Sequence, residues 1–319
     1  MRPVSLMALI VALIALAAIP LLDKPFLISQ FTRIVIYAIF AMSLDLLVGY
    51  CGMVSLGHAA FFGVAAYATA LLAERAGVEN VLISLPLSLV AAAVAAAVIG
   101  LLTLRTRGVY FIMATLAFAQ VLFFVVHDNP YFGGSDGLLL LARFKLSLGG
   151  VTLLDLSNAV TRYYACLVIG LAVLIGLWVL VQSPFGRVIQ GIKSNEQRMR
   201  ALGYPVERYK FVCFVIGGTL AGLAGHLYVL LTGLADPSIL DWLHSAQLLM
   251  MVIVGGIGTL VGGAIGAFVM ILFIDQASEY TEHWKLLVGA LVIAITLLAR
   301  GGIVGIALSI LRRLGLLEA

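Results

Sequence analysis

Residues 81–102 read VLISLPLSLVAAAVAAAVIGLL, a run of 22 residues without one charged side chain. A helix of about 20 apolar residues is long enough to cross the hydrocarbon core of a bilayer. The rest of the chain has the same character, because 63% of its 319 residues are hydrophobic and only 11% are charged. A soluble domain carries about a quarter charged residues. The sequence therefore predicts an all-α, polytopic membrane protein, folded as a single transmembrane domain over residues 1–319.

Ten apolar runs are candidates for membrane-spanning helices. They lie at residues 4–22, 33–50, 52–73, 81–102, 108–127, 162–182, 210–233, 238–256, 259–275 and 284–300. The first run follows Arg2 and resembles the start of a signal peptide. It reaches Leu22 without a polar cleavage region, so we expect it to be a retained helix.

The distribution of Lys and Arg predicts the orientation. If the N-terminus is inside and each run crosses once, 12 of the 19 basic residues fall on the cytoplasmic side. Cytoplasmic loops are enriched in Lys and Arg, so both termini are predicted to be cytoplasmic. The same rule divides residues 245–275 into two helices joined by the glycine-rich turn at 255–259. A single span there would move Arg312 and Arg313 to the outside.

Two connections are longer than the others. The predicted outer connection, 128–161, is rich in Gly, Asn and Asp, and its part 144–156 is predicted to form a β-hairpin that turns at Gly149 and Gly150. The predicted inner connection, 183–209, is basic. Within it, Ser194 or Asn195 can cap a short helix from Glu196 to Leu202, which ends at Gly203 with Pro205 beyond. From these residues alone, a docking helix for a soluble partner and a solvated basic loop are equally open interpretations.

Few ionisable residues lie within the apolar runs, and an ion-coupled carrier usually needs more buried charge. We expect Asp45 to bind a backbone donor at a helix turn, and His226 to be packed and hydrogen-bonded. Glycines at small-xxx-small spacing, such as Gly218 and Gly222, predict close helix packing. The sequence has no G-x-x-x-x-G-K-[ST] loop, H-E-x-x-H or G-x-S-x-G pattern. We therefore expect a chain that is not itself an enzyme and has no cofactor or metal of its own.

Several blocks of sequence occur together in a characteristic order. Residues 49–67 read GYCGMVSLGHAAFFGVAAY, and the later blocks are RGVYF at 107–111, TLAF at 115–118, GGSDGL at 133–138, SPFGR at 183–187, ALG at 201–203 and GGIGT at 255–259. Together they resemble the signature of the LivM-type permeases of branched-chain amino acid ABC importers. The sequence departs from that family at Met53, where Gln is frequent, and at 197–200, which is more basic.

The resemblance implies partners and roles. The chain would pair with a LivH-type permease subunit, two cytoplasmic ABC ATPases and an extracytoplasmic substrate-binding protein, in the bacterial cytoplasmic membrane, with ATP bound by the ATPases. Within this resemblance, the residues predicted for ATPase coupling in the loop 183–209 are Glu196, Arg198, Ala201, Leu202 and Gly203. The predicted substrate pathway is Ser55, Gly57, His58, Phe61 and Phe62, with the two phenylalanines as an apolar gate. The binding protein is predicted to dock at Ser135 and Asp136.

Two alternative functions stay open at the level of the sequence. Related permeases move urea, short amides or aromatic acids with the same machinery. A stand-alone secondary transporter is a different class, and Asp45 and His226 would have to serve its coupling.

Overall fold

The computed structural model describes residues 15–22, 24–140, 144–148, 151–298 and 301–313. This part of the chain is a bundle of α-helices with four short strands, as the predicted all-α fold requires. The helices are α1 (Pro25–Asp45), α2 (His58–Ala76), α3 (Val81–Thr103), α4 (Val109–His127), α5 (Ala159–Gln182), α6 (Pro184–Ser194), α7 (Glu196–Ala201), α8 (Val206–Thr232), α9 (Trp242–Gly255), α10 (Val261–Tyr280), α11 (Trp284–Leu298) and α12 (Gly302–Arg313). The strands are β1 (Leu138–Leu139), β2 (Lys145–Leu148), β3 (Val151–Asp155) and β4 (Leu234–Ala235).

Each predicted run from 33–50 to 284–300 overlaps one of these helices. Within the described residues, seven helices are long and apolar enough to cross a membrane: α1 with its continuation, α3, α4, α5, α8, α10 and the stretch Trp284–Ile306. The helices α2 and α9 are not among the seven. Most of the run 4–22 lies outside the described residues. The number of crossings and the sides of the termini therefore stay predictions.

The largest differences from the predicted helix boundaries are at α1, α2 and α10. Helix α1 begins at Pro25 rather than residue 33, since proline suits the first turn of a helix. It continues through a π-helical turn, Leu46–Cys51. Helix α2 begins at His58 rather than residue 52, because residues 52–57 are not helical and Gly52 has a φ of +77°. Helix α10 continues past Asp275 to Tyr280.

Small residues bring the helices together, as predicted. Helix α8 packs against α1, α2 and α3, and a Cβ at Gly218 would lie 2.6 Å from the Cβ of Ala96. A Cβ at Gly266 of α10 would collide with the carbonyl of Met251 in α9. Such contacts let helix backbones approach closely where lipid supplies no hydrophobic drive between them.

The two long connections have more structure than a loop. In the first, β2 and β3 are antiparallel, with Lys145 opposite Asp155, which confirms the predicted hairpin. Its turn at 149–150 lies outside the described residues. Strand β1 also pairs with β4, more than ninety residues along the chain. In the second, residues 184–194 form α6, an amphipathic helix that was not predicted.

Candidate transport site and coupling surface

The predicted pathway residues lie together where the chain enters α2. The Ser55 hydroxyl accepts a hydrogen bond from the Gly57 N–H at 3.2 Å. The Ala59 N–H donates to the Ser245 hydroxyl at 2.8 Å, which anchors the first turn of α2 on α9. A Cβ at Gly57 would collide with the carbonyl of Thr115, so only glycine fits there. The local fold therefore depends on small and hydroxyl-bearing residues in this segment.

His58 is fully buried between α1 and α2. Its Nε2 lies 2.8 Å from the hydroxyl of Ser43, and that hydroxyl donates to the Phe40 carbonyl at 2.6 Å. The Ser43 oxygen must then accept from His58, which assigns the proton to Nε2. The Nδ1 atom is buried and has no partner among the described residues. The His58 ring also stacks on Phe40, with the ring centroids 5.7 Å apart.

Phe61 and Phe62 contact two different sets of aromatic rings. The Phe61 ring meets Phe214 of α8 edge-on, with centroids 5.4 Å apart. The Phe62 ring lies 4.6 Å from Phe40, 5.3 Å from Tyr228 and 5.4 Å from His244. Both phenylalanines are fully buried. The structure thus brings all five predicted pathway residues together inside the bundle, and their role in transport stays a prediction.

Asp45, two residues after Ser43 in α1, holds a turn of another part of the chain. One carboxyl oxygen accepts from the Gly258 N–H at 2.7 Å, and the other accepts from the Leu260 N–H at 3.0 Å. Leu260 has a φ of +51°, a strained value for a side chain of its size. The predicted backbone partner for Asp45 is confirmed, and it is the turn that joins α9 to α10.

His226 is also hydrogen-bonded by neighbouring side chains. Its Nδ1 lies 2.8 Å from the hydroxyl of Thr69 and 3.2 Å from that of Ser88. These contacts join α8 to α2 and α3, which confirms the prediction that His226 is packed and hydrogen-bonded.

The predicted coupling helix is present as α7. The Asn195 side chain caps it by accepting from the Arg198 N–H at 2.9 Å. The chain leaves the helix through Gly203, which has a φ of +85°. Ala201 and Arg198 are at the surface, and 66% of Leu202 is exposed. The helix therefore presents a small apolar surface beside basic side chains.

Glu196 connects α7 to its surroundings. It contacts Lys210 of α8 at 2.6 Å and Arg200 at 2.7 Å, and Arg107 lies 3.6 Å away. Partial burial alone would raise the pKa of Glu196, but the hydrogen bonds from Lys210 and Arg200 and the charge of Arg107 lower it below its usual value. These contacts fix α7 against α8 and the α3–α4 connection.

Helix α6 is fixed to the end of α1. The Lys193 ammonium group donates to the Gly49 carbonyl. Val188, Ile189 and Ile192 form its buried face. The four-residue spacing of this apolar face was the signal in the sequence that could have identified α6.

The predicted docking residues lie in a short 3₁₀ turn, Gly134–Asp136, at the surface. The Ser135 hydroxyl donates to the Asp136 carboxylate at 3.2 Å. The adjoining β1–β4 pair attaches this turn to the chain after α8. The docking role of Ser135 and Asp136 stays a prediction.

The sequence did not identify an ion pair inside the bundle. Arg33 of α1 donates to both carboxylate oxygens of Asp275 of α10, and Gln30 donates to the same carboxylate at 2.8 Å. In the sequence both charged residues stand at the ends of apolar runs, Arg33 at the start of 33–50 and Asp275 at the end of 259–275. The longer helices α1 and α10 place them within helical segments instead.

These helices, with their apolar surfaces and buried polar contacts, define a multi-pass integral membrane protein. A family model described as "Branched-chain amino acid transport system / permease component" matches residues 26–296. The chain belongs to this family, and the resemblance to LivM-type permeases is confirmed.

Individual relatives agree with this assignment. The chain is 28% identical over 310 residues to the high-affinity branched-chain amino acid transport permease LivM of Escherichia coli K12, covering 89% of this chain and 71% of that protein. It is 27% identical to a probable LivM of Methanocaldococcus jannaschii, over 49% of this chain and 48% of that protein. The xylose transport permease XylH of E. coli K12 matches at 31% identity over 33% of this chain and 28% of that protein. No solved structure matches the chain significantly.

Proposed function

We propose that this chain is the membrane-spanning permease subunit of an ATP-driven importer for branched-chain or related amino acids. An extracytoplasmic binding protein would deliver the substrate to a complex of this chain, a LivH-type subunit and two cytoplasmic ABC ATPases. The complex would lie in the bacterial cytoplasmic membrane, with both termini of this chain inside and ten crossings. The family match supports the class of substrate.

The observation that carries the proposal is α7. It is a short helix between α6 and α8 that is followed by the exposed Leu202 and is fixed to α8 through Glu196 and Lys210. A partner that moves α7 would therefore move α8 with it. Because α6 contacts both α5 and α8, the same displacement would reach three helices. ATP-driven closure of an ATPase pair is a movement of this kind, and packed helices respond to it as rigid bodies.

The predicted roles follow this arrangement. Glu196, Arg198, Ala201, Leu202 and Gly203 would couple to an ATPase. At the opposite face, Ser135 and Asp136 would contact the binding protein. Between the two faces, the segment Ser55–Phe62 would open when α1, α2 and α8 separate, because its aromatic side chains pack across all three helices.

A complete complex tests the function. The chain is expressed with its neighbouring genes, purified by a tag, and assayed in lipid for ATP hydrolysis with and without the binding protein and leucine. We expect the ATPases to co-purify and their hydrolysis to rise with the leucine-loaded binding protein. A chain that purifies alone and moves solute without ATPases would contradict the proposal.

Substitution of Gly203 tests the coupling surface. Gly203→Leu places a side chain in the left-handed region, at a backbone cost of about 1–2 kcal/mol. Gly77→Leu is a matched control, because Gly77 also has a positive φ and, like Gly203, has no neighbouring atom within 4 Å of the point where a Cβ would stand. We expect only Gly203→Leu to reduce substrate-stimulated ATP hydrolysis and uptake. Equal effects of the two variants would remove α7 as the coupling surface.

A further inference from the structure

The ion pair of Arg33 and Asp275 lies within two helices that are long enough to span a membrane. Arg33 is eight residues from the start of α1, and Asp275 is five residues from the end of α10. At 1.5 Å per residue, these offsets correspond to about 12 Å and about 7 Å along the helices. Both residues therefore lie below the ends of their helices on the side where α1 begins and α10 finishes.

The pair is only partly covered by other side chains. The side chain of Arg33 is 38% exposed and that of Asp275 is 23% exposed. Charged side chains at membrane depth face a protein interior or a water-filled cavity, because exposure to lipid is costly. Two cavities border the pair, one of about 370 Å³ and one of about 170 Å³. Arg33 and Asp275 line both, so the pair separates them.

The two cavities lie at different depths. The larger one is lined by residues near the helix ends, including Phe26, Ser29 and Glu279. The smaller one is lined by Tyr37 and Gln247, with apolar walls from Met251, Ile271, Ile274 and Trp284. The Tyr37 ring lies 6.4 Å from Phe62, the residue predicted to form part of the gate. A molecule that passed the ion pair would reach the aromatic cluster around Phe62.

Hydrogen-bonding groups around the pair have unused capacity. The Nε of Arg33 is buried and has no partner among the described residues. The Tyr37 hydroxyl and the Gln247 amide make no hydrogen bond to any described side chain or backbone group, although both line the smaller cavity. A buried donor without a partner is uncommon in folded proteins, and this one belongs to the ion pair itself, beside half-buried polar groups that line the smaller cavity.

We propose that Arg33 and Asp275 bind the charged backbone groups of an amino acid during its translocation. The guanidinium of Arg33 would take the α-carboxylate, for which its planar donor geometry is suited. The carboxylate of Asp275 would take the α-ammonium group. One intramolecular ion pair is thereby exchanged for two intermolecular pairs, and no charge is left without a partner. This inference rests on the proposed function and names the site within the permease that recognises a zwitterion.

The arrangement predicts which substrates can pass. An aliphatic side chain fits the apolar walls of the smaller cavity, while the charged groups stay at the ion pair. A neutral amide or sugar carries neither a carboxylate nor an ammonium group. It therefore cannot form an ion pair with Arg33 or with Asp275 and cannot compensate for separating them. Selection for zwitterions would then occur in this chain as well as in the binding protein.

The test uses the complete importer in proteoliposomes, with leucine as the probe. Uptake is measured at saturating leucine-loaded binding protein, so that the rate reports steps inside the permease rather than docking. The variants are Arg33→Gln, Asp275→Asn and the reversed pair Arg33→Asp with Asp275→Arg. Glu282→Gln is the control, since Glu282 is an exposed acid near the end of α10 that lines neither cavity.

We expect each single variant to lower leucine uptake by about tenfold or more, the usual effect of losing a charge-assisted contact. ATP hydrolysis should still respond to the loaded binding protein, and Glu282→Gln should transport normally. The reversed pair should regain the thermal stability of the unmodified complex, because the ion pair is restored. It should not regain leucine uptake, because the positive and negative partners of the substrate's carboxylate and ammonium groups have changed places.

Other outcomes overturn the inference. Normal uptake by the reversed pair would make the ion pair a structural link between α1 and α10, as would unchanged uptake by the single variants. If the single variants do not fold, Arg33→Lys decides the question, because it keeps the charge but loses the planar pair of donors. A normal maximal rate in Arg33→Lys would also overturn the site. Failure of the unmodified complex to transport leucine would instead contradict the proposed function.

Discussion

Replacing Asp45 should loosen the junction between α1 and the turn that joins α9 to α10. The Asp45→Ala variant leaves two backbone N–H groups, those of Gly258 and Leu260, without the acceptor that the structure shows. A buried donor left unsatisfied costs about 1–3 kcal/mol. That loss applies to the buried Leu260 N–H, and the half-buried Gly258 N–H adds a smaller one. The strained φ of Leu260 adds to the effect, because Asp45 helps to hold that residue in place.

Asp45→Asn keeps a side chain of the same size and removes one of its two acceptor oxygens. It therefore tests the hydrogen bonds separately from the packing of the side chain. Asparagine keeps one acceptor oxygen and presents an NH₂ group to the second donor, so it should lose about half as much stability as Asp45→Ala. Thermal unfolding of the purified protein in detergent measures the order of the variants. Glu74→Ala removes an exposed acid from the end of α2 and serves as the control.

We expect Glu74→Ala to unfold at the same temperature as the unmodified chain. Asp45→Asn should unfold at a lower temperature, and Asp45→Ala at the lowest. If Asp45→Ala unfolds at the same temperature as the unmodified protein, the reasoning is refuted, since the two donors would then have found other partners. A stable Asp45→Asn variant that loses all uptake would favour ion coupling through Asp45, and with it a stand-alone carrier.

Two further predictions concern packing and charge. Gly266→Ala should destabilise the contact between α9 and α10 by about 1–3 kcal/mol, because its Cβ collides with the Met251 carbonyl. Gly289→Ala meets nothing within 4 Å and should be neutral, so equal unfolding temperatures for the two variants would contradict this account. Because the folded state lowers the pKa of Glu196 from 4.5, its contribution to stability should be complete at neutral pH and be lost only as the pH falls below 4.5. Glu196→Gln should remove that part of the pH profile of thermal unfolding, and a loss that begins well above pH 4.5 would show that another group is responsible.

Helix positions were predictable because hydropathy is a local property of the sequence. The uncharged stretch 81–102 lies within α3, Val81–Thr103, with only one residue of difference. Capping is also local, so Asn195, one of the two predicted caps, and Gly203 bracket α7, which ends one residue before the predicted Leu202. The start of α2 was less predictable, because residues 52–57 are apolar enough for a helix and their non-helical conformation depends on Ser55, Gly57 and Ser245.

Contacts between distant residues could not be read from the sequence. Asp45 meets Gly258 across 213 positions of the chain, and Arg33 meets Asp275 across 242. Nothing in the local sequence of Arg33 distinguishes a residue at the end of a span from one that is paired inside the bundle. The predicted pathway segment was recognised from a family signature, whereas the ion pair needed the arrangement of α1 beside α10.

The partners of the buried polar groups bear on the choice between an importer subunit and a stand-alone carrier. A carrier driven by protons or sodium must expose a buried ionisable group to water and then return it to the bundle. Asp45 uses both carboxyl oxygens to hold a backbone turn, and the Nδ1 of His226 is occupied by Thr69 and Ser88. Arg33 and Asp275 do face cavities, but they neutralise each other and can accept a zwitterion without a change of protonation. These groups are therefore suited to packing and to binding substrate, not to ion coupling. The arrangement favours an energy source outside the chain, such as an ATPase that binds α7 at the surface of the bundle.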